Sequence, residues 1–200
     1  MALSTYADLQ TAIGNWLKRA DLANYTADLI TLGETWIYRH ARTRNMEEAL
    51  SVVIGSGVAA LPSDFIALKN ARISGNPDTP LDIRPAEWIY SNYPLRSATA
   101  TPHTVGVEGS NLIFGPYPDA ADTVVGTYYK TLGALSASAH ALFTSNPDLY
   151  LFAALAEAEA FVKNDARITT WMAKRDMILA DVNRQAQESR FGGGLAVRVA

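Results

Sequence analysis

The sequence predicts an α+β protein, in which a four-helix bundle formed by N- and C-terminal helical hairpins carries a small antiparallel β-rich insertion. Three observations support this fold class. Apolar residues recur at helical spacing within residues 1–45 and 147–190. Residues 46–146 hold every proline except Pro147, together with short β-prone runs. The net charge is +1 over residues 1–45, −4 over 46–146 and zero over 147–200, which sets the middle apart as a subdomain.

The N-terminal hairpin occupies residues 1–45. Thr5 and Asp8 resemble a capping box with Asp in place of Glu. The first helix then has its apolar residues at Leu9, Ile13, Trp16, Leu17 and Ala20. After a break at 21–24, a second helix is predicted from about Thr26 to Thr43, with Leu29, Leu32, Trp36, Ile37 and His40 along one stripe.

The C-terminal hairpin occupies residues 147–190. Asn146 is a good N-cap and Pro147 suits the first helical position. A break at Asn164–Asp165 separates this helix from a long one, predicted from about Ala166 to Ser189. On the long helix the expected outward-facing residues are Lys174, Arg175, Asp176 and Asp181. Short connections favour antiparallel neighbours within each hairpin.

The insertion, residues 46–146, changes to strand-like patterning. Five or six short strands are expected, two pairs of them forming hairpins around 55–57 and 108–110. One short helix fits residues 85–93. The aromatic residues of this segment, Tyr128–Tyr129 and Trp88, Tyr90 and Tyr93, are expected to pack the sheet, with an interface role as the second interpretation.

Composition excludes several kinds of chemistry. The 200-residue chain has no cysteine, so it offers no disulfide, thiolate zinc site or cysteine nucleophile. Its three histidines, at 40, 103 and 140, lie outside any metal-ligand spacing. No stretch predicts a signal peptide or a membrane span, and no phosphate-binding or nucleophile-elbow motif occurs. We therefore expect no catalytic residues, no metal site and no cofactor.

An arginine cluster closes the predicted second helix. Arg39, Arg42 and Arg44 favour compensation of the helix dipole and surface ion pairs. The alternative is contact with DNA phosphates or with the acidic rim of a partner protein. The net charge of −3 argues against a dedicated nucleic-acid binder.

The C-terminal residues 191–200 form a candidate docking tail. Glycines 192–194 predict a hinge, and an apolar strip alternates after it. Such a strip can dock on its own body or on another protein, although a disordered terminus is an equal alternative. The candidate docking residues are Phe191, Leu195, Val197, Arg198 and Val199.

The order of these parts resembles the head–tail adaptor (connector) proteins of tailed bacteriophages, close to the tail-tubular-A-like adaptors. The stretches that carry the likeness cover nearly the whole chain: Tyr6–Leu9, Asn15–Leu22, Leu32–Arg44, Met46–Glu47, Ala60–Phe65, Leu112–Pro118, Tyr128–Lys130, Asn146–Leu155, Lys163–Asp165 and Trp171. None is a catalytic signature, and their order and spacing carry the resemblance.

The resemblance implies a non-enzymatic virion protein of the neck, assembled in the host cytoplasm. Such adaptors form a ring, usually of twelve copies, below the portal protein. The ring extends the DNA channel, where contact with packaged DNA is non-specific, and it supports attachment of the tail or nozzle protein. In related adaptors the C-terminal segment reaches onto the portal. The alternatives are another neck or tail-completion (stopper) protein, a soluble binding domain or an unrecognised hydrolase.

Overall fold

The computed structural model describes residues 3–19, 21–75, 77–161 and 165–188. The chain forms two compact units. The helical unit consists of Met1–Met46 and Leu132–Ala200, and the β unit consists of Glu47–Thr131. In the part of the chain that is described, no helix has the length and apolarity to cross a membrane.

In chain order the elements are α1 (Tyr6–Leu17), a 3₁₀ turn (Ala23–Tyr25), α2 (Thr26–His40), a second 3₁₀ turn (Arg44–Met46), β1 (Glu47–Val53), β2 (Val58–Ala60), β3 (Phe65–Ile73), β4 (Thr79–Ile83), α3 (Ala86–Asn92), β5 (Thr104–Glu108), β6 (Asn111–Gly115), β7 (Thr123–Lys130), α4 (Ala141–Ser145), α5 (Pro147–Phe161) and α6 (Asp165–Glu188). All seven strands belong to the β unit, which also contains helix α3, between β4 and β5.

The helical unit is organised around α5, which packs against α1, α2 and α6. Nine of its residues are buried, so α5 is apolar nearly all round and is the central helix of the unit. Helix α2 approaches it closely, because a Cβ on Gly33 would lie only 3.1 Å from the backbone nitrogen of Ala154. Helix α1 begins with the capping box of Thr5 and Asp8, in which each side chain accepts the backbone N–H of the other residue.

The β unit is a seven-stranded mixed sheet that forms a nearly closed barrel. The strand order is β1-β7-β3-β4-β5-β6-β2. All pairs are antiparallel except β4 with β5. The two outer strands of this order, β1 and β2, follow each other in the chain, and a single bridge joins Gly55, after β1, to Val58, the first residue of β2. The core inside is aliphatic and aromatic, including Leu50, Ile54, Leu112, Phe114, Val124 and Tyr128.

Helix α3 lies on the outside of the sheet over two glycines. Ile89 is fully buried, and a Cβ on Gly106 would come within 2.9 Å of its Cδ1 atom. A Cβ on Gly115 would overlap the ring of Tyr93, directly after the helix. The two glycines therefore provide the space in which α3 is held against β5 and β6.

The predicted architecture is wrong, although the chain is α+β. The sheet is a seven-stranded mixed barrel and not a small antiparallel insertion, and the described part of the chain has six helices and not a four-helix bundle. Alternation of apolar and polar residues identifies segments that form strands, but it does not identify which strands pair. The pairing of Glu47 with Tyr129 joins residues far apart in sequence, and no local pattern encodes it.

We predict that Gly126→Ala destabilises the protein. Gly126 lies in β7 between β1 and β3, and a Cβ there would overlap the carbonyl oxygen of Asn70. Because the obstacle is backbone, the expected loss in the free energy of unfolding is roughly 1–3 kcal/mol. Urea denaturation measures it.

Gly14→Ala is the matched control. A Cβ on Gly14, within α1, meets nothing within 4 Å, so alanine should stabilise the protein by about 0.5–1 kcal/mol through helix propensity. Equal effects of the two substitutions would contradict the packing described for β7.

Candidate interaction site at the end of helix α2

The three candidate arginines lie in different environments around the end of α2. Arg39 is exposed on the last turn of the helix. Arg42 is half-buried just beyond it, and Arg44 is exposed on the second 3₁₀ turn. We call Arg39, Arg42 and Arg44, with the neighbouring His40, the basic end of α2.

Arg42 caps its own helix. Its Nη1 atom donates to the carbonyl oxygens of Tyr38, at 3.2 Å, and of Ala41, at 2.6 Å. These carbonyls lie at the helix C-terminus, where backbone acceptors have no partner within the helix. A cation there also opposes the negative end of the helix dipole. The contacts of Arg42 therefore match the helix-dipole interpretation.

The side-chain amide of Asn183, on α6, holds the backbone at the same point. Its Oδ1 accepts the N–H of Arg42 at 2.9 Å, and its Nδ2 donates to the carbonyl oxygen of His40 at 3.2 Å. One amide thus satisfies a donor and an acceptor of the chain as it leaves α2. Sequence reasoning missed this residue, because an asparagine in a polar helix segment carries no signal of a distant backbone partner.

A stack of side chains lies beside the Asn183 amide. The guanidinium carbon of Arg175 lies 3.6 Å from the centroid of the Trp36 ring, and the His40 ring stacks on Trp36 at 4.5 Å. Arg175 is only 4% exposed, so its expected outward orientation is wrong. Burial is tolerated because the guanidinium is stacked and also pairs with Asp176 at 2.9 Å. The ring stack could have been predicted from the sequence, because a tryptophan and a histidine four residues apart lie next to each other on a helix.

Arg39 and Arg44 have no ion-pair partner in the part of the chain that the structure describes. No described carboxylate lies within ion-pair distance of Arg39, Arg42 or Arg44. Arg42 is occupied by carbonyl oxygens, whereas the other two are exposed to solvent. The basic end of α2 therefore presents two guanidinium groups that can accept an external anion or carboxylate.

A buried polar network fixes the segment that precedes α4. The Oε1 atom of Glu34, which is 5% exposed, accepts the N–H of Leu135 at 2.8 Å and the hydroxyl of Tyr38 at 3.4 Å. The Tyr38 hydroxyl lies 3.0 Å from Nε2 of His140, and the hydroxyl of Tyr150 lies 3.5 Å from the same nitrogen. The network therefore ties residues 135–140 to α2 and α5.

The ionisation of this network follows from its burial. Burial raises the pKa of the Glu34 carboxyl and lowers the pKa of the His140 imidazole. The Nδ1 atom of His140 accepts the N–H of Phe143 at 3.4 Å, so the proton of the neutral ring lies on Nε2. A second proton would have to bind Nδ1, and the ring could then no longer accept the N–H of Phe143 that caps α4. Sequence reasoning left Glu34 and His140 unassigned because their partners are about a hundred residues apart.

The aromatic residues of the β unit divide into two groups. Tyr128 and Tyr129 are buried, as expected for residues that pack the sheet. Trp88 and Tyr90, on α3, are 37% and 40% exposed and are held by cation–π contacts from Arg84 and Arg96. The second interpretation, an interface, fits these two side chains.

One predicted site lies beyond the part of the chain that the structure describes. The candidate docking residues Phe191, Leu195, Val197, Arg198 and Val199 lie outside the described residues. Among the residues that are described, no group of three or more His, Cys, Asp or Glu side chains could hold a metal ion.

We predict that Asn183→Ala lowers the free energy of unfolding by about 1 kcal/mol, because it leaves the carbonyl of His40 and the N–H of Arg42 without their partner. Arg39→Ala, on the exposed last turn of α2, is the control and should change stability by less than about 0.5 kcal/mol. Thermal and urea unfolding of the two variants test this prediction. An unfolding midpoint unchanged by Asn183→Ala would show that the two hydrogen bonds of Asn183 do not stabilise the fold.

We predict that His140 makes the protein less stable in acid. Below about pH 6.5 the unfolded chain binds more protons than the folded one, because the folded pKa of His140 is lowered. Its contribution to stability is therefore complete above that pH and lost as the pH falls toward the lowered pKa. Urea denaturation between pH 5 and 8 should show this slope in the wild type and a weaker slope in His140→Gln.

Glu34→Gln provides the opposite sign in the same experiment. The raised pKa of Glu34 means that the folded chain binds more protons above about pH 4.3, so stability from this group falls as the pH rises. Glu34→Gln should therefore make the free energy of unfolding fall more steeply as the pH is lowered. His140→Gln should make it fall less steeply. Parallel pH profiles for the wild type and both variants would refute the assignment.

Comparison with known proteins gives one family. A family model described as SU10 adaptor protein matches residues 4–198 of this chain. A search among curated proteins finds no match. The family match covers nearly the whole chain and spans both units.

Proposed function

The chain belongs to the SU10 adaptor protein family, and from this membership we propose that it joins the head of a tailed bacteriophage to its tail. The family is one of phage structural adaptors, which are not enzymes. The protein is accordingly a virion component whose work is contact with other head and tail proteins. The match over residues 4–198 is the observation that carries this proposal.

In the finer form of the proposal, copies of the chain form a closed ring, expected to be a dodecamer, directly below the portal protein. The ring would sit in the neck, continue the DNA channel and offer the platform for the tail or nozzle protein. A closed ring requires two different contact faces on each copy. The closer likeness to tail-tubular-A-like adaptors stays a prediction.

The tail at residues 191–200 is proposed to dock on the portal protein. Its support is the sequence pattern: three glycines precede Leu195, Val197 and Val199, which alternate at the spacing of a β-strand. A strip of this kind can add to a sheet edge of a partner through its backbone and place alternate side chains in pockets. Phe191, before the glycines, and Arg198, between Val197 and Val199, are proposed as further contacts.

We predict that deleting residues 192–200 abolishes attachment to portal-containing heads while the remaining chain stays folded. Co-sedimentation with DNA-filled heads measures attachment, and circular dichroism with urea unfolding measures folding. Normal attachment of the truncated chain would rule out the docking role of the tail.

Point substitutions in the full chain refine this test. Leu195→Asp should weaken attachment because it places a charge in the alternating apolar series. Ala196→Asp, one residue later and on the other face of a strand, is the matched control. Cross-linking within intact particles then identifies the neighbour: contact with the portal fits an adaptor, and contact with tail proteins alone would indicate a stopper or tail-completion protein.

A further inference from the structure

Exposed apolar side chains lie on α3 of the β unit and just after it. We call Trp88, Tyr90 and Leu95 the α3 surface, because they are the large hydrophobic side chains of α3 and the residues directly following it that are exposed. Trp88 and Tyr90 belong to the residue types that dominate the binding energy of protein interfaces.

The α3 surface is preorganised. Beneath it, Ile89 is buried above Gly106, so the helix is fixed on the sheet. Above it, the Arg84 guanidinium lies 5.2 Å from the centroid of Trp88 and the Arg96 guanidinium 5.6 Å from that of Tyr90. The Arg96 Nη1 atom also donates to the carbonyl oxygen of Phe114 at 2.8 Å. Since the rings are already ordered, binding a partner costs little further conformational entropy.

The rim of this surface is acidic. Glu87 is exposed, and no described cation lies within ion-pair distance of it. Asp82 has only a long contact to Arg84 at 3.7 Å, and Glu108 accepts the hydroxyl of Tyr90 at 2.6 Å. Arg84 and Arg96 are therefore already bound within the β unit, whereas the carboxylates beside the α3 surface can accept further hydrogen bonds.

The basic end of α2 has the complementary chemistry. Arg39 and Arg44 are exposed guanidiniums without a carboxylate among the described residues. A guanidinium pairs with a carboxylate and also stacks on an aromatic ring, and the α3 surface with its rim offers both. One polypeptide thus carries two unlike and complementary surfaces, as a head-to-tail assembly of identical copies requires.

We infer that the basic end of α2 in one copy docks on the α3 surface of a second copy. The inference rests on the proposed ring, for which it names one contact between neighbours. Rings of Trp88 and Tyr90 form the apolar centre of the contact, and Glu87 and Asp82 at the rim meet Arg39 and Arg44. This is the division into apolar centre and charged rim found in specific protein interfaces.

A second copy fits this chemistry better than DNA does. DNA phosphates would satisfy the arginines, but they would leave the α3 surface uncovered, because phosphates and the carboxylates of that surface carry charge of the same sign. The chain has a net charge of −3, which opposes association with a polyanion. A copy of the same chain satisfies both surfaces in one contact.

Disulfide trapping tests the contact, because the chain has no native cysteine. Full-length Arg44→Cys and full-length Glu87→Cys are mixed and oxidised, and the heterodimer is followed on non-reducing gels. The matched control replaces Glu87→Cys by Asp119→Cys, since Asp119 is also an exposed carboxylate of the β unit but lies outside the α3 surface. Unfolding midpoints equal to the wild type confirm that each variant is folded.

We expect the Arg44–Glu87 pair to be trapped about tenfold faster than the Arg44–Asp119 pair, because charge complementarity steers association. Adding Arg39→Glu to the Arg44→Cys chain should remove most of that advantage. Equal trapping rates for the two pairs would overturn the inference. Equal rates together with reduced DNA retention by an R39Q/R42Q/R44Q variant in filled heads would assign the basic end of α2 to DNA instead.

The same chains separate this inference from the proposed function. Without residues 192–200, a chain should keep its fast Arg44–Glu87 trapping while it loses attachment to portal-containing heads. Specific trapping by a chain that never attaches to heads would support the contact and reject the portal role. Attachment to heads by a chain without specific trapping would support the portal role and reject the contact.

Discussion

The helical unit depends on the buried carboxyl group of Glu34. Glu34 is 5% exposed, and its Oε1 atom accepts the N–H of Leu135, 101 residues further along the chain. A carboxyl group in that position costs free energy unless hydrogen bonds compensate its lost hydration. The chain supplies them from Leu135 and Tyr38, and Gly33 lets α2 lie close to α5 beside them. The segment that returns from the β unit is thereby attached to the helices, and His140 at the end of this segment caps α4.

A different constraint shapes the β unit, where backbone hydrogen bonding must be satisfied across seven strands. β7 lies between β1 and β3, so the last strand of the unit joins its first to its third. The pairings of β7 with β1 and β3 therefore join residues far apart in sequence, and glycine at position 126 is required where β7 passes Asn70. Helix α3 can lie outside the sheet because Gly106 and Gly115 leave room for it. Its exposed rings result from this placement, since only one face of a short helix can be buried.

Local features could be predicted from the sequence, and long-range ones could not. The capping box at Thr5 and the start of α5 at Pro147 agree with their sequence signals because capping depends on neighbouring residues. The prediction of a four-helix bundle with a small insertion was wrong, because neither the pairing of strands nor the closure of the barrel produces a periodic pattern in the sequence. Arg175 looked like a solvent-facing residue, yet Trp36 on another helix covers it. The arginines of the candidate site were visible in sequence, whereas Asn183 and the carbonyls that occupy Arg42 were not.

The distribution of ion pairs then explains how a weakly charged chain can carry charged contact surfaces. In the β unit, Lys69, Arg72, Arg84 and Lys130 pair with carboxylates of the same unit, and Arg96 is bound to a carbonyl oxygen and two rings. Every basic residue of residues 47–131 is thus engaged, and the unit's excess of acidic residues is left for other contacts. The arginines at the end of α2 face the converse situation, with no described carboxylate near them. Exposed pairs within one chain add little stability, whereas charges across an interface select a partner and its orientation, which is the role we infer for these unpaired charges.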